Sequence, residues 1–132
     1  MYIEAPKKSL NTSAKEVFDF LCDIRNFEKL MPENIDKFEV LDENTFRFAL
    51  KGMPEIVLRL KEKYPNSKVI YGAASSKLSF TLTAAIQEMD GDTSEVTLSF
   101  EGEFNAMMAM MIKSPITNFI GTLSSNMDVI GQ

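Results

Sequence analysis

The spacing of apolar residues changes twice along the chain, and these changes constrain the fold more than any other feature of the sequence. A short mixed segment at residues 2–10 is predicted to be an edge strand. Apolar residues then recur every three or four positions up to residue 31, which is typical of helices that bury one face. From about residue 36 to residue 104 they alternate with polar residues, and from residue 106 to residue 130 the helical spacing returns. The pattern therefore predicts one strand, two short helices, a run of strands and a long helix.

Capping signals place the two short helices. Ser13 and Glu16 have the spacing of a capping box, in which the serine oxygen accepts a hydrogen bond from the Glu16 amide and the Glu16 carboxylate reaches back. Asn26 is expected to cap a second helix over residues 27–31, which Pro32 ends. The side chains predicted to be buried along this segment are Val17, Phe18, Leu21 and Ile24.

Turn-forming residues separate the alternating segments, at positions 42–44, 52–54, 65–67 and 90–92. Because these intervals leave no room for helices between the strands, we expect an antiparallel sheet with one apolar and one solvated face. The final helix would be about 36 Å long, which is enough to cross that apolar face. Pro115 lies within it and predicts a kink or break near residues 111–115. Strands segregated from helices in this way indicate an α+β fold.

The composition limits the function. The 132 residues predict a single domain, residues 1–132. Fourteen Lys and Arg residues against 19 Asp and Glu residues give a net charge of −5, which argues against a general nucleic-acid binder. One cysteine and no histidine exclude zinc clusters, Cys–His nucleophiles and Ser–His–Asp triads, and we expect no metal and no cofactor. No apolar segment approaches the roughly 20 residues of a membrane-spanning helix, so we expect a cytoplasmic protein without stable membrane insertion.

Two segments carry a resemblance to a known family. Residues 11–18 read NTSAKEVF, and they lead to residues 23–32, which read DIRNFEKLMP. Together they resemble the opening helix pair of the START/SRPBCC superfamily, which includes birch-pollen-allergen-like proteins, lipid carriers and polyketide cyclases. Phe27 and Leu30 stand where many members have Trp, and this chain has no Trp at all.

The resemblance extends in order and spacing over essentially the whole chain, and it implies the helix-grip fold. In that fold a curved antiparallel sheet of six to seven strands wraps around the long C-terminal helix, and two short helices follow the first strand. The resemblance further implies a hydrophobic cavity between the sheet and the long helix.

The inward phase of the strands, together with the side of the helix that faces the cavity in this family, predicts the lining residues. The chain has nine methionines, and four of them lie at positions 107, 108, 110 and 111. Such flexible, polarisable side chains suit an adaptable pocket, although methionine also fills gaps in ordinary cores. The predicted lining residues are Phe46, Phe48, Leu58, Tyr71, Phe80, Leu82, Leu98, Phe100, Met107, Met108, Met111 and Phe119.

Few polar side chains accompany these apolar positions. Because the chain has no histidine, the general acid or base of an enzyme would have to be Glu88 or Tyr71, with Glu62 and Asp23 as further candidates. Asn105 is another polar residue near a strand end, and Tyr71 is preferred because its hydroxyl can orient a ligand while its ring packs. No two inward carboxylates fall at a spacing that brings them together, so we expect a binding protein rather than an enzyme.

The leading hypothesis is a binding or carrier protein for a hydrophobic small molecule, such as a lipid, an isoprenoid quinone or a polyketide-like aromatic. The first alternative is a polyketide cyclase-like or dehydratase-like enzyme that uses an inward carboxylate or tyrosine. The second is a protein-interaction module whose cavity is filled by its own side chains. In that case the partner would be another protein. The sequence leaves open the identity of the ligand, the oligomeric state and whether methionine side chains fill the cavity.

Overall fold

The computed structural model describes residues 1–33, 35, 37–50, 55–74 and 79–130. These residues form eight strands, two α-helices and two short 3₁₀ helices. In chain order the elements are β1 (Tyr2–Glu4), β2 (Lys8–Leu10), α1 (Ala14–Cys22), a first 3₁₀ helix (Ile24–Lys29), β3 (Lys37–Asp42), β4 (Thr45–Ala49), β5 (Ile56–Tyr64), β6 (Lys68–Ala73), β7 (Phe80–Met89), β8 (Thr93–Gly102), α2 (Ala106–Ser125) and a second 3₁₀ helix (Asn126–Val129).

The strands form one antiparallel sheet in the order β1-β8-β7-β6-β5-β4-β3, and β2 also pairs with β8. The sheet has one strand more than the upper number predicted, because the first segment forms two strands that pair with the same neighbour. Ile3 lies opposite Phe100 and Ser9 lies opposite Glu95. Pro6 lies between the two short strands, where its missing amide hydrogen interrupts the ladder.

The turns confirm most of the predicted strand boundaries. The turn over residues 65–67 has Asn66 at φ 60°, and the turn over residues 90–92 has Gly91 and Asp92 at φ 69° and 59°. These left-handed values explain why Asn, Gly and Asp occupy the positions. Asp42 and Thr45 close the β3–β4 hairpin, whereas the predicted turn at 52–54 lies outside the described residues.

The capping pattern of α1 is confirmed in its main hydrogen bond. Ser13 Oγ accepts from the Glu16 amide at 3.2 Å, and the Glu16 carboxylate reaches back to the Thr12 hydroxyl at 2.6 Å. The predicted cap at Asn26 is wrong. The second helix begins at Ile24, and Asp23 caps it because its carboxylate accepts from the Arg25 amide at 3.1 Å.

The curved sheet packs around α2, which confirms the α+β helix-grip architecture. The buried residues of α2 are Ile112, Ile116, Phe119, Ile120, Leu123 and Ser124. The prediction near Pro115 was a kink or a break, and the break is wrong, since α2 runs continuously through the proline. Ile112 and Ile116 are buried on either side of the proline, and their packing holds the helix together where a backbone hydrogen bond is lost. Among the described residues, no helix has both the length and the apolar character needed to cross a bilayer.

Candidate functional site

The space between the sheet and α2 is apolar and nearly closed. Strands β4, β5, β7 and β8 contribute one side of its wall and the middle of α2 contributes the other. The cavity has a volume of about 10 Å³, which is at the lower limit for a single water molecule. Its lining residues are Phe48, Ile56, Leu58, Phe80, Leu82, Phe100, Ile116, Phe119 and Ile120.

Four phenylalanine rings line the interface between sheet and helix. The rings of Phe48 on β4 and Phe119 on α2 stack with their centroids 5.0 Å apart and their planes 21° apart. Phe80 and Phe100 lie on neighbouring strands with ring centroids 4.9 Å apart. Phenylalanine therefore closes the space that the resemblance to the START/SRPBCC superfamily predicted to be a cavity.

The structure brings half of the predicted lining residues into the wall. Phe48, Leu58, Phe80, Leu82, Phe100 and Phe119 all line the cavity. Phe46 and Leu98 are buried in the core beside it, and the ring of Phe46 packs against those of Phe48 and Phe27. Three lining residues were missed in the sequence, namely Ile56, Ile116 and Ile120. A signal for all three was present, since Ile56 shares the alternation of Leu58 and the other two share the helical stripe of Phe119.

The methionines of α2 do not lie where the sequence pattern placed them. Met107 and Met111 are 74% and 66% exposed, and therefore lie outside the wall of the closed cavity. Met108 is half-buried and packs against the core, because it lies one helical turn before Ile112 on the buried face. Apolar residues occupy every position from 106 to 112, so their spacing alone does not show which face of the helix is buried.

Tyr71, the preferred polar candidate, is fully buried but does not reach the cavity. Its hydroxyl donates a hydrogen bond to the backbone carbonyl of Leu21 at 2.6 Å, and its ring meets that of Phe27 edge-on at 4.9 Å. Burial raises the pKa of the Tyr71 phenol well above its usual value. This hydroxyl is therefore neutral and already bonded, and it joins β6 to the end of α1.

The acidic candidates lie outside the cavity as well. Glu88 is exposed near the end of β7. Glu62 is exposed on β5 and accepts a hydrogen bond from the Tyr64 hydroxyl at 3.1 Å. Hydrogen bonding to Arg25 holds the pKa of the Asp23 carboxyl below its usual value. Among the residues that the structure describes, no titratable side chain lines the cavity.

The remaining polar candidate, Asn105, has a structural position at the start of α2. Its side-chain oxygen accepts a hydrogen bond from the Met108 amide at 2.8 Å, which makes it the N-cap of the helix. Cys22 is half-buried, and burial raises the pKa of its thiol. Within the described part of the chain, no group of three His, Cys, Asp or Glu side chains is arranged to hold a metal ion.

A larger depression is lined by residues of β1, β5, β6, β7 and β8. It has a volume of about 810 Å³ and is open to solvent. Lys61, Thr81, Glu101 and Glu103 are among the polar residues around it. Because it is open and its lining mixes charges of both signs, it lacks the apolar enclosure that is typical of small-molecule sites.

Solved structures with the same architecture cover almost the whole chain. Norcoclaurine synthase from Thalictrum flavum superposes with a TM-score of 0.76 at 11% identity, covering 97% of this chain and 84% of that one. The chain has the fold of norcoclaurine synthase. A protein from Thermus thermophilus superposes with a TM-score of 0.71 at 10% identity, covering 97% of this chain and 94% of that one. An uncharacterized protein from Bacillus thuringiensis gives a TM-score of 0.63 at 11% identity, covering 95% and 97%.

These comparisons confirm the fold that the resemblance implied. Identities of 10 to 11% establish the helix-grip architecture alone, because one fold hosts many unrelated functions. No family model and no curated protein matches the sequence.

Proposed function

We propose that the protein binds and carries a hydrophobic small molecule between the sheet and α2. The observation that carries the proposal is the apolar cavity at that interface, whose nine lining residues are all Phe, Leu or Ile. A purely apolar wall recognises a ligand by the burial of apolar surface, which contributes about 25 cal/mol per Å² before the ligand and protein are ordered. A lipid, an isoprenoid quinone or a polyketide-like aromatic has such a surface.

Ligand uptake requires the cavity to open, and the start of α2, which precedes the lining residues of that helix, is its least anchored part. No residue of α2 before Ile112 is fully buried, and Met107, Met110 and Met111 are between 66% and 81% exposed. From Ile112 onward the helix is held by apolar contacts at almost every turn. Separating the first two turns from the sheet therefore exposes little new apolar surface, and the cavity lies beneath the next turns.

A structural neighbour supports a small organic ligand. Norcoclaurine synthase has been solved in complex with dopamine and hydroxybenzaldehyde, at a TM-score of 0.71 and 11% identity to this chain. Both molecules carry a single aromatic ring. The four phenylalanine rings in the wall of this chain make a comparable aromatic surface.

A protein-interaction module is the second candidate, and the small cavity volume is the observation that favours it. A protein whose cavity is filled by its own side chains would use its surface, and the exposed Met107, Met110 and Met111 form an apolar face at the start of α2. The cyclase-like alternative is less well supported, because neither Tyr71 nor Glu88 lies in the wall.

Two matched substitutions on α2 test the proposal. Ile120 and Leu123 are both buried, at 1% and 0% exposure, but only Ile120 lines the cavity. We expect Ile120→Ala and Leu123→Ala each to destabilise the fold by about 2–5 kcal/mol. Only Ile120→Ala enlarges the ligand site, so it should tighten the binding of the apolar fluorophore N-phenyl-1-naphthylamine relative to the wild type, whereas Leu123→Ala should leave it unchanged.

Fluorescence titration of the three proteins measures the affinity, and far-UV circular dichroism confirms that each is folded. Equal affinities for all three would contradict the placement of the site between the sheet and α2. Native mass spectrometry of protein purified from its own host, followed by organic extraction, identifies the ligand. A stoichiometric apolar molecule would support the carrier, and a ligand-free mass would favour the interaction module.

A further inference from the structure

An aromatic side chain next to the start of α2 lies outside the cavity wall and stacks on one of the wall residues. Phe104 lies in the connection between β8 and α2, and it packs half-buried against the core. Its ring stacks on that of Phe100, with centroids 6.0 Å apart and planes only 6° apart. Phe100 in turn packs against Phe80, and both of these residues line the cavity. The row of three rings therefore leads from solvent into the cavity.

Gly102 creates the space in which the Phe104 ring lies. A Cβ atom at this position would be 2.7 Å and 2.9 Å from two atoms of the Phe104 ring, and 2.9 Å from the Cβ of Phe80. Real Cβ atoms essentially never approach other atoms so closely. Gly102 and Phe80 form the terminal residue pair between β8 and β7. The Phe104 ring therefore covers the inner face of the sheet at that pair.

We propose that Phe104 is the gate of the cavity, and that its ring occupies the place taken by a planar aromatic group of the ligand. The inference deepens the proposed function and rests on it. Phe104 is suited to leave this place, since it belongs neither to β8 nor to α2 and the helix that follows is weakly anchored.

The chemistry of the wall selects the ligand group. The entering group meets the faces and edges of Phe48, Phe80, Phe100 and Phe119, which favours the offset-stacked and edge-on contacts of another aromatic ring. The wall offers no polar side chain, so a buried hydroxyl or amide would lack a hydrogen-bond partner. The part of the ligand that enters is therefore an aromatic hydrocarbon ring, and any polar group stays at the opening.

Three variants separate gating from a simple loss of packing. Phe104→Ala removes the gate, and Gly102→Ala adds a Cβ that displaces the Phe104 ring and also presses on the Cβ of Phe80. Gly121→Ala is the control, because a Cβ there meets no atom within 4 Å. Stopped-flow fluorescence with N-phenyl-1-naphthylamine measures the association rate of each variant. We expect both gate variants to bind about fivefold to tenfold faster than the wild type, as lost stacking on Phe100 implies, and Gly121→Ala to match the wild type.

Competition with a matched pair of hydrocarbons tests the ligand class. Naphthalene is planar and aromatic, whereas decalin has the same carbon skeleton and is saturated and puckered. We expect naphthalene to displace the fluorophore from Phe104→Ala at about a fivefold lower concentration than decalin. Equal displacement by the two would overturn the aromatic part of the inference.

The outcomes distinguish the gate from the proposed function. If the wild type binds the fluorophore and both gate variants bind at its rate, the gate is refuted while the proposed function stands. If none of the proteins binds it, the gate and the proposed function are both refuted. Should Phe104→Ala fail to fold, Phe104→Leu retains the apolar bulk and removes the aromatic stack. An association rate for Phe104→Leu equal to that of the wild type would likewise refute the gate.

Discussion

Replacing Tyr71 with phenylalanine removes a single oxygen atom from the contact between β6 and α1. In the wild type that hydroxyl donates to the Leu21 carbonyl at 2.6 Å, and the whole side chain is inaccessible to solvent. Leu21 lies in the last turn of α1, where carbonyl groups have no partner within the helix. The substitution therefore leaves a buried acceptor without its donor.

The magnitude follows from this geometry. A buried polar group left without its hydrogen bond costs about 1–3 kcal/mol, and we expect Tyr71→Phe to lower the free energy of unfolding by that amount at pH 7. The edge-on contact with Phe27 is retained, since phenylalanine presents the same ring. The loss is a substantial part of the roughly 5–15 kcal/mol that stabilises a typical domain.

The same hydroxyl makes the stability of the wild type depend on pH in the alkaline range. Burial raises the pKa of Tyr71 in the folded protein well above 10, the ordinary value that applies to the unfolded chain. Above about pH 10 the unfolded chain loses this proton while the folded chain keeps it, so the folded state binds more protons. The contribution of this group to the free energy of unfolding is therefore fully present below pH 10. It decreases as the pH rises further, by about 1.4 kcal/mol per pH unit. The phenylalanine variant lacks this contribution.

Urea unfolding at pH 7 and at several values above pH 10 measures both effects. Tyr64→Phe is the control at pH 7, because the Tyr64 hydroxyl is exposed and its loss should change stability by less than about 0.5 kcal/mol. The structural role assigned to Tyr71 is wrong if two results are found together. Tyr71→Phe would unfold at the same urea concentration as the wild type at pH 7, and its stability would change with pH above pH 10 as steeply as that of the wild type.

Three further substitutions test individual contacts. Phe119→Ala should lower the free energy of unfolding by about 3–5 kcal/mol, since it removes the ring stacked on Phe48, and a loss below 1 kcal/mol in urea unfolding would refute that packing. Asp23→Ala should cost about 1 kcal/mol, because the amide of Arg25 loses its cap, and an unchanged thermal midpoint would show that the cap contributes nothing. Gly121→Ala should stabilise the protein by about 0.5–1 kcal/mol, because alanine favours the helix and its Cβ meets no neighbour, and a lowered midpoint would contradict this.

The sequence predicted the sheet well because alternation identifies the buried face of a strand. Phe46, Phe48, Leu58 and Leu82 are all 2% exposed or less, as their phase requires. It predicted the helix caps less well. Asp23 and Asn26 can both accept a hydrogen bond from a backbone amide, and only the tight passage from α1 into the 3₁₀ helix places Asp23 at the cap.

The site was predicted in part, because the wall depends on how two elements pack together. Strand phase places Phe48, Phe80 and Phe100 on the inner face of the sheet, where they line the cavity. The orientation of α2 is determined by the contacts of Ile112, Ile116 and Ile120 with the sheet, and an apolar run such as residues 106–112 does not encode it. The size of the cavity depends on how closely Phe48 and Phe119 approach, which is a property of the assembled core.

The methionines differ in exposure, so the extent of their oxidation reports whether the protein has opened. The side chains of Met107, Met110 and Met111 are mostly exposed, so we expect dilute hydrogen peroxide to oxidise their sulfur atoms in the folded state. Met31 and Met127 are 6% and 1% exposed and react only when the surrounding core separates. Each sulfoxide adds one oxygen atom to a peptide mass, so the oxidised fraction at these two groups of residues separates exposure of the surface from unfolding of the core.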